Sequence, residues 1–312
     1  MNLKKILVWT FRLILLIILY FPIWILGSMA IGDLIAGMPS EPGLLSQEIG
    51  AIILGIINTV LIVALILTSR WRGWRLALFL ALAYYGSFTF LTQIETWFFL
   101  KDLTVSPELL PRLFIMGLSI PVIYIPIAIL ICKKWKKKDI TADNPIMFMP
   151  FKQFLLKLGV IGIIYLVIYW LAGYYIAWQN PELRAFYGSS GEIKPFFDHT
   201  FAQICETPGL IFLQLFRGML FAIIVMPIIL GSNVKPWITG LLIGLLFAIP
   251  HLGHILPNPL MPIASVRLSH MIETSTSTFV FGLIVVWLLH RKHKNFKDLF
   301  SKKGLNTTTI NK

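Results

Sequence analysis

The sequence predicts an all-α fold, a polytopic transmembrane helical bundle of about eight spans. Three observations carry that prediction. Apolar residues make up 57% of the 312 residues and charged ones only 13%, whereas a soluble domain carries roughly a quarter charged residues. With a mean hydropathy of +0.80, the chain has too little polar surface to cover a water-soluble globule, and lipid must be its solvent over most of its area. Apolar windows fall at residues 6–27, 49–69, 75–93, 113–132, 154–177, 209–231, 236–252 and 274–290, each near or above the roughly 17 residues a helix needs to cross the hydrocarbon. The links between them alternate in charge.

That alternation tests the span count independently, because Lys and Arg accumulate on the cytoplasmic side in short loops. Lys4 and Lys5, then Arg70, Arg72 and Arg75, then the basic run at 133–138, then Lys235, then the tail from Arg291 to Lys303 fall on one side. The intervening links hold Asp33, Glu41, Glu48, Glu95, Asp102, Glu108, Glu182, Glu192, Asp198 and Glu206. A multi-pass protein of a bacterial cytoplasmic membrane, with both termini cytoplasmic, is the expectation. The net charge of +13 sits in short runs rather than on a soluble fold. It therefore points to topology and to anionic lipid at the cytoplasmic face, and away from nucleic acid.

Taken in order, the first window follows Lys4 and Lys5 and exceeds the h-region of a signal peptide. It is expected to be an uncleaved first span. Trp71, Trp74, Trp97, Trp135, Trp178, Trp237 and Trp287 lie near span ends, where an indole suits the headgroup boundary. Residues 1–152 make an N-terminal four-span region that ends in the basic loop. Residues 153–290 make a C-terminal four-span region, and 291–312 a basic tail whose Phe296, Leu299 and Phe300 share one side of a helix. In the longest link, Asn180-Pro181-Glu182 reads as a cap, a first-turn proline and an N-terminal acid, with Gly188 as the stop. Pro195-Phe196-Phe197 and Phe201 give the rest of that link an apolar side for the membrane or the bundle. The seventh window ends at Pro250, which predicts a kinked or partial span. Cys132 and Cys205 are expected at opposite faces, about 30 Å apart, and so cannot pair.

Polar residues within a bilayer are costly, and each is a site candidate. Gln214 and Arg217 lie three apart on the sixth span, about 12 Å below its outer end. The seventh span ends at Pro250-His251-Leu252-Gly253-His254. The eighth is preceded by Arg267, His270 and Glu273 and a hydroxyl run from Thr274 to Thr278, with Leu256-Pro257-Asn258-Pro259 as a rigid link. The polar parts of three spans thus converge on one leaflet.

Three readings remain open. In the first, the cluster binds a ligand, a lipid headgroup or a protein partner, with Arg217 held by Glu273 or Glu206. Arg217, Gln214, Glu273, His270, Arg267 and Asn258 are then its binding residues. In the second, His251 and His254, with His270 and Glu273, hold a divalent metal; otherwise no cofactor is expected. In the third, the cluster is interfacial decoration. A transporter needs a wet path through both leaflets, and only Gln93 and Glu95 at the end of span three add to one.

The stretch from Leu213 to Gly218, then Phe247 to His251, then Phe279 to Gly282 resembles the CAAX protease and bacteriocin-processing (CPBP) family of intramembrane proteases. That family's first motif is Glu-Glu-x-x-x-Arg and its second Phe-x-x-x-His. Arg217, Phe247 and His251 match, whereas Phe212 and Leu213 stand at the glutamates, which should activate the attacking water. His254 and Asn258 spell the third motif, but directly after the second. The resemblance implies a shared helical layout over the last third with the protease chemistry removed; a metal-dependent intramembrane hydrolase is the enzymatic alternative. Residues 170–290, with Gln214, Arg217-Gly218, the block from Leu256 to Pro262, Arg267, His270, Glu273 and Ser277 to Gly282, are also similar to an uncharacterised group of multi-spanning bacterial membrane proteins. That likeness implies no mechanism.

Overall fold

The computed structural model describes residues 3–99, 107–136, 149–189, 191–293, 295 and 298. Eight helices are long and apolar enough to cross a membrane: α1 (Leu3–Ser28), α2 (Gln47–Thr68), α3 (Gly73–Phe98), α4 (Leu109–Ile131), α5 (Phe151–Ala177), α8 (Gly209–Gly231), α9 (Pro236–Ile255) and α10 (Ala264–Leu289). Two shorter helices, α6 (Pro181–Phe186) and α7 (Phe196–Glu206), lie in the long link between α5 and α8. No named strand occurs among the described residues. The chain is an all-α, multi-pass membrane bundle. Asp102, the end of the basic run at 137–138, and most of the amphipathic tail, including Phe296, Leu299, Phe300 and Lys303, lie outside the described residues.

The links sort onto two faces. On the lysine-rich face, Asn233 donates its backbone N–H to Thr68 and Arg70 its guanidinium to Ser232 O at 2.8 Å, while Lys134 Nζ reaches Ser69 O at 2.7 Å. Lys157 Nζ donates to the carbonyls of Leu288 and Arg291, which are open at the end of α10. On the opposite face, Ala264 N donates to Glu41 Oε2 and Asn258 N to Ser40 Oγ. Arg112 pairs with Asp33 there at 2.7 Å, and Arg184 of α6 donates to Trp178 O at the end of α5, so that face is acidic only on balance.

Helix packing relies on small residues. Gly282 of α10 lies so close to Gly244 of α9 that a methyl group added to it would sit 2.6 Å from the Gly244 α-carbon. Gly218 of α8 meets Gly162 and Tyr165 of α5 in the same way. Lipid gives two apolar helices no hydrophobic reason to associate, so close backbone contact supplies the attraction. The buried cluster extends from Leu16 in α1 to Leu289 in α10. Within its N-terminal part, Tyr84 donates to Asn58 Oδ1 at 2.9 Å, and Asn58 in turn donates to Leu54 O. Tyr124 O–H lies 3.0 Å from Thr59 Oγ1.

Three elements depart from the sequence expectation. The eighth span begins at Ala264, so Arg267, His270 and Glu273 belong to its first turns rather than to a preceding link. A hydropathy window misses such turns. In the hydroxyl run that follows, Thr274, Thr276 and Thr278 donate their hydroxyl protons to carbonyls four residues back, which satisfies the hydroxyls within the helix. The seventh span does not stop at Pro250 but tightens into a 3₁₀ helix from Ile249 to Ile255, carrying His251 and His254. Trp71 is not a headgroup indole: it is 2% exposed, and its N–H donates to Pro227 O at 2.8 Å. The expected α6 is present with its cap, Asn180 accepting from Glu182 N at 2.9 Å, and Gly188 follows with φ +75°.

Candidate functional site

Five membrane-spanning helices end around one cavity of about 390 Å³ on the face opposite the lysines. This volume lies in the ordinary range of small-molecule sites. α3 supplies Thr92, Glu95, Thr96 and, just beyond its end, Phe99. α5 supplies Tyr165, Tyr169 and Gly173, α8 supplies Arg217, α9 supplies His251 and His254, and α10 supplies His270, Glu273 and Ser277. The two short helices close the top, Leu183 from α6 and His199, Thr200 and Gln203 from α7, with Tyr187 after α6.

Arg217 is 3% exposed, and an arginine so deep needs partners. Its Nη1 lies 2.7 Å from Glu95 Oε1 and donates to Gln214 Oε1 at 2.8 Å; its Nε donates to Leu91 O at 3.1 Å. Gln214 Nε2 donates to the same Glu95 oxygen at 3.1 Å. The expected partner was Glu273 or Glu206; the ion pair is instead with Glu95. The contact became available through a π turn at Gly86–Phe90, immediately before Leu91, which rotates the rest of α3 relative to its first half. The Arg217 guanidinium also lies against Tyr165, 5.7 Å from the ring centre.

Glu273 is 6% exposed. Its Oε2 lies 3.0 Å from His270 Nδ1, and His270 Nε2 lies 3.0 Å from the Tyr187 hydroxyl. Both ring nitrogens are therefore engaged, and the ring is fixed in one orientation. A second π turn, Gly173–Ala177, widens α5 beside this carboxylate. His254 Nδ1 is buried with no hydrogen-bond partner, and its ring centre is 6.5 Å from that of His270. His251 also lines the cavity. Among the described residues no group of three or more His, Cys, Asp or Glu side chains is gathered as a metal-binding set. His199 packs its ring 5.1 Å from that of Trp178. Burial, and then Lys194, lower its pKa below the ordinary histidine value.

The structure thus brings together Arg217, Gln214, Glu273, His270, His251 and His254 and separates Arg267 and Asn258 from them. Arg267 is 1% exposed, and its guanidinium donates to the carbonyls of Glu41, Pro42, Met261 and Pro262 and to Ser40 Oγ. Asn258 Oδ1 accepts from Leu260 N within its own turn. Both residues tie the link before α10 to the link before α2, and neither lines the cavity. Glu95, Tyr187, Tyr165, Tyr169 and His199 were not among the expected site residues. Of these, only Glu95 had a sequence signal, an acid beside Gln93 at a span end.

The walls are aromatic at the mouth and polar at the floor. Tyr174 and Trp178 pack on His199 and Tyr187 packs on His270, at ring separations of 5.1 to 5.7 Å. The outer side of α7 carries Phe197 and Phe201, 81% and 68% exposed and one helical turn apart. One side of α7 therefore faces the cavity and the other presents two phenyl rings outward. No family model, curated protein or solved structure matches this chain.

Proposed function

We propose that this integral membrane protein binds the polar head of an amphiphile, a lipid or lipid-like molecule, in the cavity between α3, α5, α8, α9 and α10. One observation carries the reading. Buried polar atoms that no protein group satisfies, His254 Nδ1 among them, line a space beneath aromatic walls at the end of five spans. Such atoms are costly when left without a partner, and a ligand head or ordered water must satisfy them. The exposed phenyl rings of Phe197 and Phe201 support an approach from the lipid, since a helix with one apolar and one polar side rests in the headgroup boundary. By the positive-inside rule, the lysine-rich face is cytoplasmic and the cavity opens toward the outer leaflet of a bacterial cytoplasmic membrane.

The test is mass spectrometry of amphiphiles that co-purify with the protein in mild detergent. Wild type is expected to carry one at near-stoichiometric amount, and Ser277→Trp, which fills the cavity, is expected to lose it while keeping its helical circular dichroism. Equal lipid content in both proteins would remove the proposal.

The pairing of Glu273 with His270 favours a second reading, in which the site is hydrolytic, along the lines of the CAAX-protease resemblance. A carboxylate-oriented imidazole is a competent general base. Turnover of a prenylated or acylated peptide by wild type, abolished in His270→Ala, would support it. Absence of turnover leaves binding as the role.

A further inference from the structure

The charge that the amphiphile's head must bear follows from the groups lining the cavity. Glu95 and Glu273 stand there against a single guanidinium, Arg217. Arg217 and Glu95 neutralise each other at 2.7 Å. Glu273 faces no guanidinium or ammonium group among the described residues; its partner is the His270 imidazole, whose Nδ1 lies 3.0 Å from Glu273 Oε2 and whose Nε2 meets the Tyr187 hydroxyl. Glu273, only 6% exposed, is left with a second oxygen, Oε1, to which no described residue donates a hydrogen bond. That oxygen faces the space left by Gly173, where an added methyl group would lie 3.6 Å from it.

A buried, half-satisfied carboxylate is expensive unless a cation completes it. The rings around it, Tyr165, Tyr169, Tyr174 and Trp178, are the groups whose faces attract an ammonium. The Arg217 guanidinium, which lines the same cavity, offers a donor for an anionic oxygen. We propose that the cavity is built for a zwitterionic head, with its ammonium against Glu273 Oε1 and the aromatic wall and its phosphate or carboxylate oxygen against the Arg217 guanidinium. This deepens, and rests on, the amphiphile-binding reading.

The experiment is native mass spectrometry of the full chain in dodecyl maltoside, titrated with four probes. These are lysophosphatidylethanolamine, its N-acetyl derivative, lysophosphatidylglycerol of the same acyl chain, and chain-free glycerophosphoethanolamine. The ethanolamine lysolipid is expected to bind about tenfold more tightly than the glycerol one, about 1.4 kcal/mol. N-acetylation should erase that margin, as should Glu273→Gln. Equal affinity of the two lysolipids, or full retention of the margin after N-acetylation, overturns the zwitterion proposal and leaves amphiphile binding standing. If Glu273→Gln fails to fold, the N-acetyl comparison on wild type decides alone. Binding of the chain-free head as tightly as the lysolipid would keep the zwitterion and overturn the amphiphile, and no binding by any probe overturns both.

Discussion

The two halves of the bundle both bury polar side chains, but they complete them differently. In the N-terminal half, Asn58, Thr59, Tyr84 and Tyr124 satisfy one another and nearby carbonyls between helices α2, α3 and α4. In the C-terminal half, His254 Nδ1 and Glu273 Oε1 have no hydrogen-bond partner among the described residues. The same residue chemistry thus does two jobs. A closed set of hydrogen bonds fixes helices in register, whereas an open set at the end of a span is a place for something else to bind.

The largest expected effect tests whether the site is held by its own ion pair. Glu95→Ala leaves Arg217 charged and unpaired within the bundle and is expected to cost about 3–5 kcal/mol by denaturant titration. Adding Arg217→Met to it should recover most of that loss while leaving ligand binding absent. A single variant as stable as wild type would mean that the pair is screened by water and the cavity is wetter than its walls suggest. Next, Tyr84→Phe strips the donor from Asn58 Oδ1 in the closed network. A loss of about 1–3 kcal/mol is expected, with amphiphile occupancy unchanged. If occupancy fell with stability, the two halves would not be separable.

Tyr187→Phe makes the converse comparison. It removes one hydrogen bond from His270 at the edge of the cavity, so a stability change of about 0.5–1.5 kcal/mol is expected together with a severalfold weaker ligand titration. A change confined to stability would demote the tyrosine to packing. The smallest effect lies outside both networks. Asp33 is held below the ordinary carboxylate pKa by its hydrogen bond to Arg112, so its contribution is present above the usual value near 3.9 and is lost as pH falls through the lowered one. At neutral pH, Asp33→Asn should weaken the protein only slightly, and once the pH is below the lowered pKa the two proteins should melt alike.

The span count and the sorting of links were legible because a bilayer imposes length and charge rules on the chain itself. Arg217 and Gln214 were legible as a pair because three residues place them on one side of a helix. The identity of the counter-ion was not, since Glu95 lies 122 positions away and only the packing of α3 against α8 brings it near. The polar start of α10 was hidden for a different reason. The turns from Ala264 to Glu273 carry Arg267, His270 and Glu273, which hydropathy scores as a link although the helix already satisfies their backbone. Arg267 announced itself by its cost, but nothing in the sequence shows whether a buried cation holds a ligand or, as here, five oxygens of two links.

The contact between Gly244 and Gly282 bears on how the cavity could widen. Two helices that touch backbone to backbone have no side-chain layer in which to slip, so α9 and α10 behave as one plank carrying His251, His254, His270 and Glu273. Any breathing of the mouth then falls to the opposite wall. There α3 and α5 each contain a wide turn, and α7 packs His199 on Tyr174 and Trp178. His251, His254 and His270 would keep their mutual spacing throughout an opening cycle, and the wall that carries His199 and the aromatic rings would move.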